Sequence, residues 1–115
     1  MNQKFTQWVE AETAKYRRED GMVPGGPRET EILTFWRRHR PLMYQKLMEV
    51  NLATKLAFIL DRKRYQAKNR YIQAGMPIAD AEAEARKDWL MMEPESTSPS
   101  RPHLARIFTL MTQSG

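Results

Sequence analysis

Apolar residues recur at intervals of three and four through most of this chain, and the recurrence breaks where glycine or proline stands. The clearest case is Ile78, Ala81, Ala85, Trp89 and Met92, opened by Pro77 and closed by Pro94. Spacings of three, four, four and three set these side chains along one side of an α-helix. A strand would need alternation at every second residue. The chain has no alternating β-branched run and no Asn-Gly hairpin signal, so no sheet is expected.

The same logic divides the rest. Phe5, Trp8, Val9 and Tyr16 mark a helix from about Lys4 to Asp20, which Gly21 stops. Met22 to Arg28 holds two prolines and two glycines and reads as a loop. Pro27 stands at or just before the next helix, with Glu29 and Glu31 where a helix N-terminus attracts negative charge. Ile32, Leu33, Phe35 and Trp36 give that helix its apolar face, and His39-Arg40-Pro41 interrupts it. A short helix from Pro41 to about Val50 should turn Leu42, Met43, Leu47 and Val50 inward, with Asn51 as a left-handed cap. A longer helix follows from about Leu52 to Ala74, ended by Gly75. Beyond Pro94, Glu95 to Ser100 is a polar linker. Ser100 could then cap a last helix near Pro102 that aligns Leu104, Ile107, Phe108 and Met111. The expected fold is all-α, a small bundle of about four helices with a C-terminal linker and short tail helix. Its expected parts are an N-terminal helix (1–21), a helical core (28–94) and the linker with its tail (95–115).

A chain of 115 residues buries one modest core. There is no cysteine, which removes disulfides and thiolate metal sites and fits a reducing, cytoplasmic setting. Met1 to Glu12 does not read as a secretory signal. The longest apolar-rich passage, Leu52 to Leu60, is broken by Thr54 and Lys55, short of the roughly 20 apolar residues that span a bilayer. No membrane contact is expected. The formal charge of +5 is unevenly spread: Arg28 to Gly75 holds 11 basic and 4 acidic residues, Met76 to Glu95 only 2 basic against 6 acidic. Such a field favours a polyanion, or an acidic helix packed on a basic one.

Catalytic candidates are few. His39 and His103 are the only histidines, and they lack metal-site spacing. Ser96, Ser98, Ser100 and Ser114 all fall in the linker or terminal tail, where a nucleophile is badly held. Asp80, Glu84 and Asp88 share a side of their helix at intervals of four, with Glu82 nearby; opposite an apolar stripe, they read as a solvated face rather than a metal site. Pro24-Gly25-Gly26-Pro27 lacks the spaced glycines and terminal lysine of a phosphate loop. Of the eight methionines, Met43, Met48, Met91 and Met92 sit at or beside core positions and read as core filler. No enzyme, metal or cofactor is expected.

Two basic clusters remain. Arg37, Arg38 and Arg40 flank His39, with Lys46 beyond; Arg62, Lys63, Arg64, Lys68 and Arg70 line the second half of the long helix. Trp36, Tyr44, Tyr65 and Tyr71 interleave with them. Cations for phosphates beside rings for stacking are the elements of a nucleic-acid surface. The tail helix offers another use: Leu104, Ile107, Phe108 and Met111 either dock into a partner's groove or fold back on the chain itself.

The segment Trp36-Arg37-Arg38-His39-Arg40-Pro41-Leu42-Met43-Tyr44 resembles the TnpV-type small helical proteins of transposons and mobile elements. The likeness continues through Ile59-Leu60-Asp61-Arg62 and from Gly75 to Asp88-Trp89, over about half the chain. It implies an accessory role in a mobile element or phage and transfers no catalytic residues. The expected function is therefore non-enzymatic contact with nucleic acid or a nucleoprotein complex through Arg37, Arg38, Arg40, Arg62, Lys63, Arg64, Lys68 and Arg70. The alternative is a protein-binding adaptor or assembly subunit that uses apolar helix faces, with Trp8, Trp36, Trp89 and Phe108 as anchors, and the tail helix. In either case a protein partner is expected, and pairing with a second copy is compatible with a small bundle.

Overall fold

The structure, a computed structural model, describes residues 2–95 and 101–112. Among them every regular element is helical: α1 (Gln3–Asp20), α2 (Pro27–His39), α3 (Pro41–Glu49), α4 (Ala53–Gln73), α5 (Ile78–Trp89) and α6 (Pro102–Thr112). No helix among the described residues is long and apolar enough to cross a membrane. The all-α class holds, with more helices than the four expected.

Helix α4 is the hub, and α1, α2, α3 and α5 all pack on it. Five consecutive residues, Leu56 to Leu60, are almost wholly buried. At 100° per residue they point in every direction, so α4 must be wrapped on all sides. Ala81 and Ala85 present no side-chain bulk, which lets α5 lie close along α4.

Boundaries follow local chemistry. The Asn2 side chain accepts from Phe5 N at 2.9 Å and caps α1, and Gly21 ends it at φ 66°. Pro27 occupies the first turn of α2. Asn51 takes the left-handed conformation at φ 59°, as its position after α3 predicts, and Gly75 at φ 100° lets the chain turn from α4 into α5.

Several inward assignments are overturned. Leu42 is 65% exposed and Ile78 66% exposed, and Val50 is also on the surface. Helix α3 is only 9 residues long and buries Met43 and Leu47, with Tyr44 packed in part against the core; Ile78 lies in the first turn of α5, outside the part buried by Ala81 and Ala85. Helix α5 also stops at Trp89 rather than running to Pro94. Met91 takes a left-handed φ of 53°, and Leu90 and Met91 are buried in irregular chain instead.

The tail folds back. Leu104, Ile107 and Met111 join the same hydrophobic cluster as Phe5, Val9 and the α4 core, and α6 packs on α5 and α1. Asn2 completes the closure: its amide Nδ2 donates to the Leu110 carbonyl at 2.7 Å, in the last turn of α6 where carbonyls lack helical partners. The Ser96, Ser98, Ser100 and Ser114 assignments lie outside the described residues.

Candidate functional site

The long helix keeps its cations for itself. Arg64 is 2% exposed; its Nε donates to Asp61 at 2.9 Å and its Nη1 to Glu82 at 3.1 and 2.8 Å. Lys68 reaches the same Glu82 at 3.7 Å. Lys63 pairs with Glu12 at 3.3 Å, and Arg62 pairs with Asp20 at 3.4 Å while lying over the Tyr65 ring. Most of the basic charge of α4 is thus met by neighbouring helices, by Glu82 of α5 and by Glu12 and Asp20 of α1, while Arg70 stays exposed. Arg64 cannot serve as a phosphate contact, because its guanidinium is buried and its Nε and Nη1 are already committed to carboxylates inside the fold.

Arg40 is corrected in the same way. It is 2% exposed, its Nη1 donates to the Glu93 carbonyl at 2.6 Å, and its guanidinium lies 4.7 Å from the Phe108 ring centre. Burial lowers its pKa, with Glu95 and Glu93 acting in the opposite sense. Around it the segment after α5 is strapped across the α2–α3 junction. Trp36 Nε1 donates to the Leu90 carbonyl at 3.1 Å, and Glu95 N donates to the His39 carbonyl at 3.2 Å. The Glu95 carboxylate accepts from Leu42 N and Met43 N at 3.1 and 2.8 Å, so it caps α3 from a distant part of the chain. The Trp-Arg-Arg-His-Arg-Pro run is an internal latch in this fold.

Of the eight basic residues, Arg37, Arg38 and Arg70 remain exposed with no ion pair among the described residues. Arg37 shares a shallow cleft with Tyr44, and Arg38 shares another with Phe35 and His39, whose rings lie 4.5 Å apart.

The carboxylates of α5 also depart from expectation. Asp88 is buried, not solvated: it accepts a short hydrogen bond from the Tyr71 hydroxyl and pairs with Arg101 at 3.2 Å, which also reaches Glu84 at 3.1 Å. The bond to Asp88, then burial, raises the Tyr71 pKa. Only Asp80 of the spaced trio stands in solvent. Among the described residues no group of three or more His, Cys, Asp or Glu could hold a metal ion. Arg101 was missed in the sequence because its partners lie 13 and 17 residues away, across the linker.

What stays open to a partner is a groove. Helices α3 and α6 do not pack on each other, and between them lies a cavity of about 620 Å³. Leu42, Met43, Phe108 and Met111 form its apolar walls, with Arg40, Lys46, Glu49 and Glu95 as its charged groups. Leu104 and Ile107 are turned away into the core, so the tail residues expected to anchor in a partner instead hold α6 down, with Phe108 and Met111 left to line the groove. The chain matches no family model, no curated protein and no solved structure.

Proposed function

We propose that the protein is a non-enzymatic binding module that seats an amphipathic helical segment of a partner protein in the α3–α6 groove. The exposure of Leu42 on the rim of that groove carries the proposal. An isolated apolar side chain on a surface needs no explanation, but one edging an apolar trough of about 620 Å³ is placed to close over a ligand. Amphipathic helices bind such troughs through anchors three and four residues apart. Burying Leu42 would contribute about 1.5–3 kcal/mol. Lys46 faces this trough beside Glu49 and Glu95, so a fitting partner carries polar groups of both signs around its apolar anchors. The soft thioethers of Met43 and Met111 adapt to more than one anchor shape. The likeness to TnpV-type proteins would place that partner in a mobile element or phage complex within the cytoplasm.

The test is a photo-crosslinker at position 42 in the full chain, with Leu42→Asp and the remote Ile78→Asp as competitors in capture. The adduct should form on one partner, and Leu42→Asp alone should lose capture. Equal capture by both variants would reject the groove.

A second function is favoured by one specific observation: Arg37 and Arg38 are exposed, unpaired among the described residues and flanked by rings. Nucleic-acid contact through these two and Arg70 would involve about three phosphates, so the log–log salt slope should be about −2 to −3 rather than the steeper value for eight. Arg37→Glu with Arg38→Glu should abolish retention on DNA and RNA at low salt; unchanged retention would exclude it.

A further inference from the structure

A second cavity, of about 200 Å³, lies where α1, α4, α5 and α6 converge. Its wall combines two indoles, Trp8 and Trp89, with the imidazole of His103, the ammonium of Lys63, the guanidinium of Arg106 and the carboxylate of Glu12. The volume corresponds to roughly six or seven waters at about 30 Å³ each, room for one aromatic ring with one small substituent.

The polar groups here are incompletely satisfied. Trp89 is 9% exposed and its indole N–H is buried without an acceptor; one carboxylate oxygen of Glu12 is likewise buried without a donor. Buried orphans are few in folded proteins and mark places where a further group belongs. His103 stacks on the Trp89 ring at 4.3 Å with 14° between the planes, and the Lys63 ammonium lies 5.5 Å from the centre of that ring. With His103 and Lys63 already over Trp89, a ligand finds its stacking face on Trp8, which is only partly buried. Charge decides its sign. Glu12 is balanced by Lys63, whereas Arg106 is exposed with no ion pair among the described residues, so the wall has one cation in excess.

We propose that this cavity binds a small planar aromatic carboxylate. The ring lies against Trp8 and the carboxylate pairs with Arg106 at the mouth. Helix α6 gives the site a consequence. His103 and Arg106 face this cavity while Phe108 and Met111 line the α3–α6 groove, so an occupant pins the helix that forms one wall of the groove. The site itself does not depend on what the groove binds.

The experiment follows the three indole N–H resonances of the ¹⁵N-labelled full chain during titration with benzoate. Trp8 and Trp89 should shift saturably. Trp36, whose N–H is held by the Leu90 carbonyl, should stay still. Arg106→Gln, a change at an exposed position, should weaken binding roughly tenfold, as should replacing benzoate by uncharged benzamide. Amide exchange in α6 should slow on saturation. No saturable shift at millimolar ligand, equal shifts of all three indoles, or equal binding of benzamide would overturn the assignment.

Discussion

Arg40 donates to the main-chain carbonyl of Glu93, 53 residues further along, while its guanidinium lies on the ring of Phe108. One side chain thus joins the α2–α3 junction, the strap that follows α5 and the tail helix. Arg40 is also cap to both helices it separates, with φ −136° and ψ 57°, a conformation that Pro41 helps enforce by disfavouring helical geometry before it. The break between α2 and α3 is what brings the guanidinium inward.

Replacing Arg40 by methionine keeps much of the apolar stem and removes the donor. A hydrogen bond from a charged group contributes about 1.5–3 kcal/mol, and the Glu93 carbonyl would lose it. The urea midpoint of Arg40→Met should fall by about 1 M, with little change in slope. Arg37→Met, at an exposed position, should leave the midpoint where it was. Equal midpoints for the two variants would deny Arg40 its latching role.

Arg64 and Asp61 should behave as a coupled pair. Arg64→Met leaves the buried Asp61 carboxylate without its partner, which costs about 3–5 kcal/mol. Adding Asp61→Leu removes the stranded charge, so the double variant should recover most of that loss. Glu82 keeps Lys68 and Arg86 as neighbours in both cases. A double-mutant cycle read by denaturant unfolding should give a coupling of about 2 kcal/mol or more; simple additivity would contradict it.

Helix ends were legible because their causes are local: Gly21, Pro27, Pro41, Asn51 and Gly75 act on their own or adjacent torsions, and each does what its position predicts. The roles of Arg40, Arg64 and Asp88 were not legible, because their partners are set by how helices cross. Arg64 finds Glu82 at a separation of 18, and Leu42 N finds Glu95 at 53. A run such as Arg62-Lys63-Arg64 reads identically whether solvent or a carboxylate-bearing helix lies opposite. Leu42 was misplaced for a related reason: periodicity says which residues share a side, not whether another helix reaches that side.

Tyr16 should make stability sensitive to alkali. Burial first, then Glu12, pushes its hydroxyl up from 10.0 to about 12. A raised pKa means that the folded state favours the neutral phenol. Its contribution is therefore complete below pH 10 and is lost as pH rises toward 12. Tyr16→Phe forfeits only a long hydrogen bond to Gln66, at 3.4 Å, so its stability near neutrality should be close to that of the parent. Across the window from pH 10 to 12 the parent should weaken more steeply than the phenylalanine variant. Parallel pH profiles from thermal unfolding would count against a buried neutral Tyr16.

Asn2 performs two separable tasks, and two substitutions separate them. Its carbonyl oxygen caps α1 and its amide holds the Leu110 carbonyl of α6. Asn2→Asp keeps an acceptor for Phe5 N but removes the donor, and its charge favours the α1 N-terminus. Asn2→Ala removes both. Both variants should speed amide exchange at the end of α6, because both leave that carbonyl without its donor. Only Asn2→Ala should also speed exchange in the first turn of α1 and lose the cap's 0.5–2 kcal/mol, about 1 kcal/mol in the usual case. If Asn2→Asp protected α6 as well as asparagine does, the link between the two ends of the chain would be immaterial, and the closing of α6 would rest on its buried apolar side chains and on the contacts of Phe108 with Arg40 and of His103 with Trp89.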